Sequence, residues 1–445
     1  MTRSFLILFS FLIIIVVSFK AQATHFRGGE ITTEASSGSS LTYKIKIIVY
    51  SDPHSPVASS GTVNFGDGSA SRDLLDILAS HETEHIGDHI TKNIYTINHT
   101  FPSTGTFIIN FTEFNRNPNA VNLLNSVNTP YYLESQVVID PYFGANKSPK
   151  FTAPPLFTAS VGVKYVENPM AEDADGDSLA YRLVTPLQDL DVEVGEYQLP
   201  HLITEPHDAA ANEDGTGRPS FTINQVTGDL VWDAPVVAGY YFIAYIIEEW
   251  RKIEGEWYQL GYTLRDYQVT VEDVENNRPY LEIPADTIFK AGEILSATIT
   301  GHDPDGDEIT IESSGAPYNF ATLPAEYAQQ GNELNFTWQT DPEHISNQPY
   351  EVVFRVFDHP EDGPVLYDYK TWRIIVSDLT NQKKILQKEP LLIYPNPTTG
   401  IINIENFLEE NGPTHITVYD QFGRLILSNS YQTPNKNYLL NLEGK

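Results

Sequence analysis

The sequence predicts an all-β chain of tandem antiparallel sandwich modules, and three observations predict it. Apolar and polar residues alternate with period two in many short runs, helical periodicity is scarce, and each run is bounded by Gly, Pro, Asp or Asn. Tyr43, Ile45, Ile47 and Val49 alternate in this way, as do Phe107, Ile109 and Phe111, and the same pattern marks 241–249, 267–271, 350–357 and 372–376. Aromatic residues make up 12% of the chain, with 28 glycines and 29 prolines, a composition suited to short strands and tight turns. Strands at this spacing build sandwiches, not a parallel α/β sheet.

Taken in order, the chain opens with Arg3, an apolar run from Phe5 to Phe19 and then Ala21-Gln22-Ala23, the small-x-small pattern of a signal-peptidase site. The apolar run is shorter than the ~20 residues a spanning helix needs, so residues 1–23 read as a cleaved signal peptide. The mature chain is expected to start at Thr24, secreted or on the outer cell surface. There is no cysteine, which removes disulfides, thiol catalysis and cysteine zinc sites. A net charge of −32 argues against nucleic acid or anionic membrane as partners and points to divalent cations as counter-ions.

An internal repeat relates residues 146–274 to 275–379. Each unit opens with Asn and Pro, Asn146 to Pro149 and Asn276 to Pro279, and each then carries Asp-x-Asp-Gly-Asp, at Asp173, Asp175, Gly176, Asp177 and at Asp303, Asp305, Gly306, Asp307. A Gly precedes a strand ending in Trp232 or Trp338, and a long strand and a closing strand follow. Trp232 to Val271 spans 39 positions and Trp338 to Val376 spans 38, whereas Asp173 to Trp232 spans 59 and Asp303 to Trp338 only 35. The excess reads as one surface loop within 185–220.

Three carboxylates within five residues around a glycine can wrap one calcium ion, which prefers six to eight oxygen ligands. This is not an EF-hand, since Gly is fourth and position twelve is Val184 or Ser314. An acidic Asp-Gly surface turn without metal is the alternative. Two such turns in a duplicated β unit resemble the cadherin repeat, whose calcium sits at module junctions. That resemblance implies that Asp173, Asp175, Asp177, Asp303, Asp305 and Asp307 are calcium ligands, joined by the linker residues Asp273, Glu275 and Asn277, with affinity of roughly 0.1–1 mM.

Gly61-Thr62-Val63-Asn64-Phe65-Gly66-Asp67-Gly68-Ser69 and His99-Thr100-Phe101-Pro102-Ser103-Thr104-Gly105-Thr106-Phe107 resemble the signature of the polycystic-kidney-disease (PKD) repeat, an Ig-like sandwich, interrupted here by an insertion at 70–98. Thr24 to Glu30 and Asn122 to Tyr132 are similar to the N-terminal region of Bacteroidetes surface proteins associated with gliding motility. Leu391-Leu392-Ile393-Tyr394-Pro395-Asn396-Pro397-Thr398-Thr399-Gly400, leading into Ile402–Ile404 and then Ile416–Asp420, resembles the type A sorting domain of the type IX secretion system. The sequence stops at Lys445, short of the last strand and basic tail expected of such a domain. The expected order is therefore signal peptide 1–23, PKD-like sandwich 24–145, cadherin-like sandwiches 146–274 and 275–379, linker 380–390 and sorting domain 391–445. Expected partners are the type IX machinery, a surface glycan or protein ligand, and the outer membrane through the sorting domain.

His81-Glu82-Thr83-Glu84-His85 satisfies His-Glu-x-x-His, which on a helix sets two imidazoles on zinc beside a general base, with Asp88 or His89 as further candidates. The motif lies inside the 70–98 insertion with too little chain around it for a zinc-peptidase cleft, and the spacing fits no long-form pattern. No nucleophile elbow, phosphate loop or dinucleotide fingerprint is present, so the chain reads as a non-enzymatic calcium-binding adhesion or attachment protein. A carbohydrate-binding module using aromatics such as Trp250 and Trp257 is one alternative, and a zinc metallopeptidase is the other.

Overall fold

The computed structural model describes residues 26–36, 41–53, 61–86, 90–204, 210–346, 348–361 and 363–378, and beyond them the strands between Leu392 and Asn441. The signal segment 1–23 with Thr24, the pair Asp88 and His89, residues 205–209 of the long loop, the 380–390 linker and Pro395–Gly400 lie outside the described residues. Among the described residues strand dominates and helix is confined to short 3-10 turns, as the alternation predicts. The chain divides into two compact units, one formed by Met1–Ala285, Ile294–Gln339 and Tyr350–Arg373, the other by Asp286–Glu293, Thr340–Pro349 and Ile374–Lys445.

In the first unit, alternation is converted into burial. In Thr42–Ser51 the odd-numbered Tyr43, Ile45, Ile47 and Val49 are fully buried. They pack on Val63, Ile109, Phe111 and Leu133 from the facing strands to form the core of the N-terminal sandwich. Residues 70–98 contribute to this sheet: Arg72–Asp73 pairs with Thr62–Asn64, His81–His85 pairs with Thr91–Thr100, and Thr91–Thr100 pairs with Thr42–Ser51. The Gly66-Asp67-Gly68 turn is pinned by His99, whose Nε2 lies 2.7 Å from Asp67 Oδ2 while its ring stacks on Phe65 at 3.9 Å.

The sheet does not stop at the 145/146 division drawn from the sequence. A 15-residue strand, Gly239–Ile253, and a 17-residue strand, Glu256–Glu272, form a long hairpin. Glu256–Glu272 also pairs with Phe26–Ala35 and with Tyr131–Ile139, so one 12-stranded sheet serves both sandwiches. The second core lies on the other side of this hairpin, where Trp232 meets Tyr241 at 4.8 Å and Phe221 at 6.3 Å. Two fully buried charge groups fasten the shared sheet. Arg265 reaches Glu30 at 3.2 Å and Glu167 at 3.4 Å, and Arg116 grips both oxygens of Asp266, at 2.9 and 2.6 Å.

The third sandwich has the strand order Tyr280–Glu282, Ile294–His302, Glu333–Gln339, Glu326–Gln330 in one sheet. Facing it, Glu308–Gly315 pairs with Tyr350–His359. Its core is aromatic: Trp338 stacks on Phe320 at 5.9 Å and meets Tyr350 edge-on at 5.2 Å, and Phe336 meets Trp372 at 5.4 Å.

In the second unit, Thr287–Lys290 runs parallel to the end of Tyr367–Ser377, from Thr287 opposite Ile374 to Lys290 opposite Ser377. Ile401–Glu405 pairs with Leu392–Tyr394 on one side and Asn437–Asn441 on the other, and Thr414–Tyr419 forms a hairpin with Leu425–Tyr431.

Candidate metal centre

Each Asp-x-Asp-Gly-Asp segment folds as a turn held by its own first carboxylate. Asp173 Oδ1 accepts the amides of Asp175 and Asp177, both at 2.9 Å, and Asp303 Oδ1 accepts those of Asp305 and Asp307, also at 2.9 Å. Closing so tight a loop needs a residue in the left-handed region, and Gly176 and Gly306 take it at φ +83 and +86°. The second oxygens, Asp173 Oδ2 and Asp303 Oδ2, are buried with no hydrogen-bond partner, and they are so in both repeats. A buried carboxylate oxygen left without a donor costs free energy unless something positive meets it.

A strand carboxylate lies beside each turn. Leu179 lies opposite Glu249 and Ile309 opposite Asp358, so Glu249 and Asp358 hold equivalent positions, each across from the residue two past the last aspartate of its turn. Both are almost wholly buried, at 1 and 0% exposure. Asn146 Nδ2 donates to Glu249 Oε2 at 3.0 Å, and Asn276 Nδ2 donates to Asp358 Oδ2 at 2.9 Å. Ligand atoms of Asp173, Asp175 and Asp177 lie within 4.8 Å of one another, as do those of Asp303, Asp307 and Asp358.

Burial dominates the electrostatics. It pushes the Asp173 carboxyl up to about 6, against the amides of Asp177 and Asp175. Burial, with Asp173 alongside, pushes Glu249 up to about 9. It pushes Asp358 up to about 6, against the donors Leu366 N–H and Asn276. All three directions mean that negative charge is crowded where water does not reach it. Clustered hard oxygens at carboxylate spacing are the donor set that calcium takes.

The sequence-derived site residues divide accordingly. Asp173, Asp175, Asp177, Asp303 and Asp307 come together as expected. Asp305 stands outside its group, and its carboxylate accepts the amide and side chain of Asn277 at 2.7 and 2.9 Å. Lys147 N–H does the same for Asp175 at 2.8 Å. Asn277 therefore anchors the turn as a donor. Asp273 and Glu275 lie exposed on the linker, in neither carboxylate group.

The zinc reading of His81-Glu82-Thr83-Glu84-His85 is overturned by its secondary structure. The 3-10 turn Leu74–Ser80 ends before it, and His81–His85 is a β-strand. Four residues along a strand separate the two histidines by roughly 13 Å and put Glu82 on the opposite face, so they cannot share an ion. His81 instead lies 3.0 Å from Asn93 and stacks on Tyr95, while His85 lies 3.2 Å from Thr91.

Residues 392–444 match the family model of a secretion system C-terminal sorting domain. The chain carries a type IX sorting domain. The protein is thus secreted, exported to or attached at the cell surface, and engages the type IX machinery. No curated protein matches the chain. Among solved structures it is similar to the N-terminal Ig1-2 module of Drosophila Receptor Protein Tyrosine Phosphatase DLAR, with 12% identity over 52% of this chain and 99% of that one, at a TM-score of 0.21. It is also similar to EC1-3 of mouse Protocadherin-24, with 12% identity over 72% of this chain and 91% of that one, at a TM-score of 0.18.

Proposed function

We propose that this is a calcium-binding surface-attachment protein, non-catalytic, whose modules at 24–145, 146–274 and 275–379 are presented outside the cell by the sorting domain at 391–445. The observation that carries this reading is the recurrence, in both repeats, of a matching oxygen set: a turn aspartate with a buried unpartnered oxygen, a buried strand carboxylate, and the repeat-opening Asn that holds it. Chance surface acidity does not repeat a buried arrangement. Asn146-Lys147 and Asn276-Asn277 open their repeats, so each turn holds the chain where it enters its module. A cation at the turn would favour that ordered junction over looser ones. The similarity of Thr24–Glu30 to gliding-associated surface proteins supports attachment as the role.

Calcium titration of the full chain tests this. Melting temperature should rise as calcium passes through roughly 0.1–1 mM and fall back on chelation. An unchanged transition at several millimolar calcium removes the reading.

A second reading, glycan binding, has an observation of its own. Tyr142, Phe143 and Tyr258 form a ring cluster with centroids 5.3 to 6.0 Å apart. Tyr142 is 54% exposed, and Trp257, beside Tyr258 in sequence, is 44% exposed with Lys252 Nζ 5.4 Å from its ring centroid. Exposed aromatic faces stack on sugars. Glycan binding that survives chelation and is lost in Trp257→Ala would favour this second reading.

A further inference from the structure

The two oxygen sets match in backbone and differ in counter-charge. At the first, Arg251 Nε donates to Asp177 Oδ1 at 2.7 Å and its Nη2 contacts Asp177 Oδ2, while Lys147 Nζ lies 3.6 Å from Asp175. The same guanidinium is held from behind by Phe143 O at 2.7 Å and Asn146 Oδ1 at 2.8 Å. At the second, Asn277 stands where Lys147 stands, and Pro360, two residues past Asp358, stands where Arg251 stands two past Glu249. Among the described residues no cationic side chain pairs with Asp303, Asp307 or Asp358. The first set thus faces two cations, Arg251 and Lys147, and among the described residues the second faces none.

The cations do not finish the first set. Glu249, 1% exposed, keeps Oε1 without a hydrogen-bond partner, with Asp173 and Asp177 among the charges that act on it. Asp173 Oδ2 is also left without a partner. Arg251 therefore occupies Asp177, whose side chain is 4% exposed, while Glu249 Oε1 and Asp173 Oδ2 still lack a hydrogen-bond partner.

We propose that Arg251 is a built-in competitor for calcium, so that the two sites load in order: Asp303, Asp307 and Asp358 first, and Asp173, Asp177 and Glu249 only once the guanidinium has left Asp177. This rests on the calcium reading above. A bidentate charge-assisted pair must be broken at one site and not at the other, which separates the affinities by about tenfold or more. The N-terminal pair of sandwiches would then respond to calcium at a higher threshold than the third sandwich.

Hydrogen–deuterium exchange of the full wild-type chain across a calcium titration reads each turn separately. The 303–307 turn should gain protection at a calcium concentration about tenfold or more below that protecting 173–177. Arg251→Met should bring the two thresholds together by strengthening the first site, and Pro360→Arg should weaken the second site alone. Simultaneous protection of the turns in wild type, or the reverse order, overturns the proposal while leaving calcium binding intact. So do unmoved thresholds in Pro360→Arg, which decides the matter even if Arg251→Met does not fold. No response of either turn to millimolar calcium overturns the calcium reading and this proposal together.

Discussion

The repeats at 146–274 and 275–379 fold the same acidic turn over two different kinds of core. Beneath the first turn, the sheet it shares with the N-terminal sandwich buries Arg265 with Glu30 and Glu167, and Arg116 with Asp266, all without solvent contact. Beneath the second, the interior is built from Trp338, Trp372, Phe336 and their neighbours in aromatic edge-to-face contact, and the pair on a buried carboxylate, Arg278 with Asp368, keeps its cation partly exposed. The difference teaches what each module depends on. Charges buried in pairs add little net stability but make the structure intolerant of losing one partner, whereas an aromatic core depends on burial alone. The first repeat is joined to the sandwich before it through one shared sheet; the second has its own sheets and packs Val353 and Tyr369 against the first repeat's core.

The largest expected effect breaks this contrast at Arg116. Arg116→Met strands the fully buried Asp266 carboxylate and should destabilise the transition of the first two sandwiches by about 3–5 kcal/mol in urea unfolding. Adding Asp266→Leu should recover much of that loss, because two apolar groups replace two charges. Arg116 also lies over the Tyr131 and Phe242 rings at 4.9 and 4.8 Å, contacts that a methionine side chain keeps in part. A single substitution as costly as the double one would show that packing, not charge, is what Arg116 supplies.

A smaller effect comes from Glu167. Burial pushes its carboxyl up to about 7, against the pull of Arg265 and Tyr245. Because the folded-state value lies above the unfolded one of 4.5, the associated stability is fully present below pH 4.5 and is lost as pH rises through about 7. In chelator, the first two sandwiches should lose at most about 3 kcal/mol across that window. Glu167→Gln should flatten the profile, and a profile unchanged by that substitution would remove Glu167 as its source.

Much of this was legible in the sequence, for physical reasons that also mark where legibility ended. Period-two alternation is a local property, so Thr42–Ser51, Gly105–Glu113 and Tyr350–His359 could be read from their own residues. The turn aspartates were legible because three acids around a glycine are local too. Glu249 and Asp358 were missed because they are brought to the turns by strand pairing across long separations. A signal for them did exist: Tyr241, Ile243, Tyr245 and Ile247 put Glu249 in the inward phase of its strand, and Val352, Phe354 and Val356 do the same for Asp358. An acid in core phase needs a partner. The cadherin resemblance points to Asp273 and Glu275 in the linker, whereas the linker residues that reach the carboxylates are the buried Asn276 and the exposed Asn277, as donors. The sharing of one sheet across residue 145 had no local signature, since strands of 15 and 17 residues are continuous with both cores.

The smallest expected effect separates backbone from charge in the two turns. Gly176 and Gly306 have nearly the same φ, +83 and +86°, and a Cβ added at either meets nothing within 4 Å. Alanine at either position therefore pays only for the left-handed backbone, about 1–2 kcal/mol, and asparagine less. In chelator, Gly176→Ala and Gly306→Ala should lower stability by equal amounts, because the Asp173 and Asp303 amide bonds they strain are alike. With calcium present the two should diverge. The Gly306 variant would lose calcium affinity directly, whereas in the Gly176 variant a distorted turn also loosens Asp177 from Arg251, offsetting part of the loss. Equal losses of affinity at the two turns would mean that the counter-charges play no part in how the sites differ.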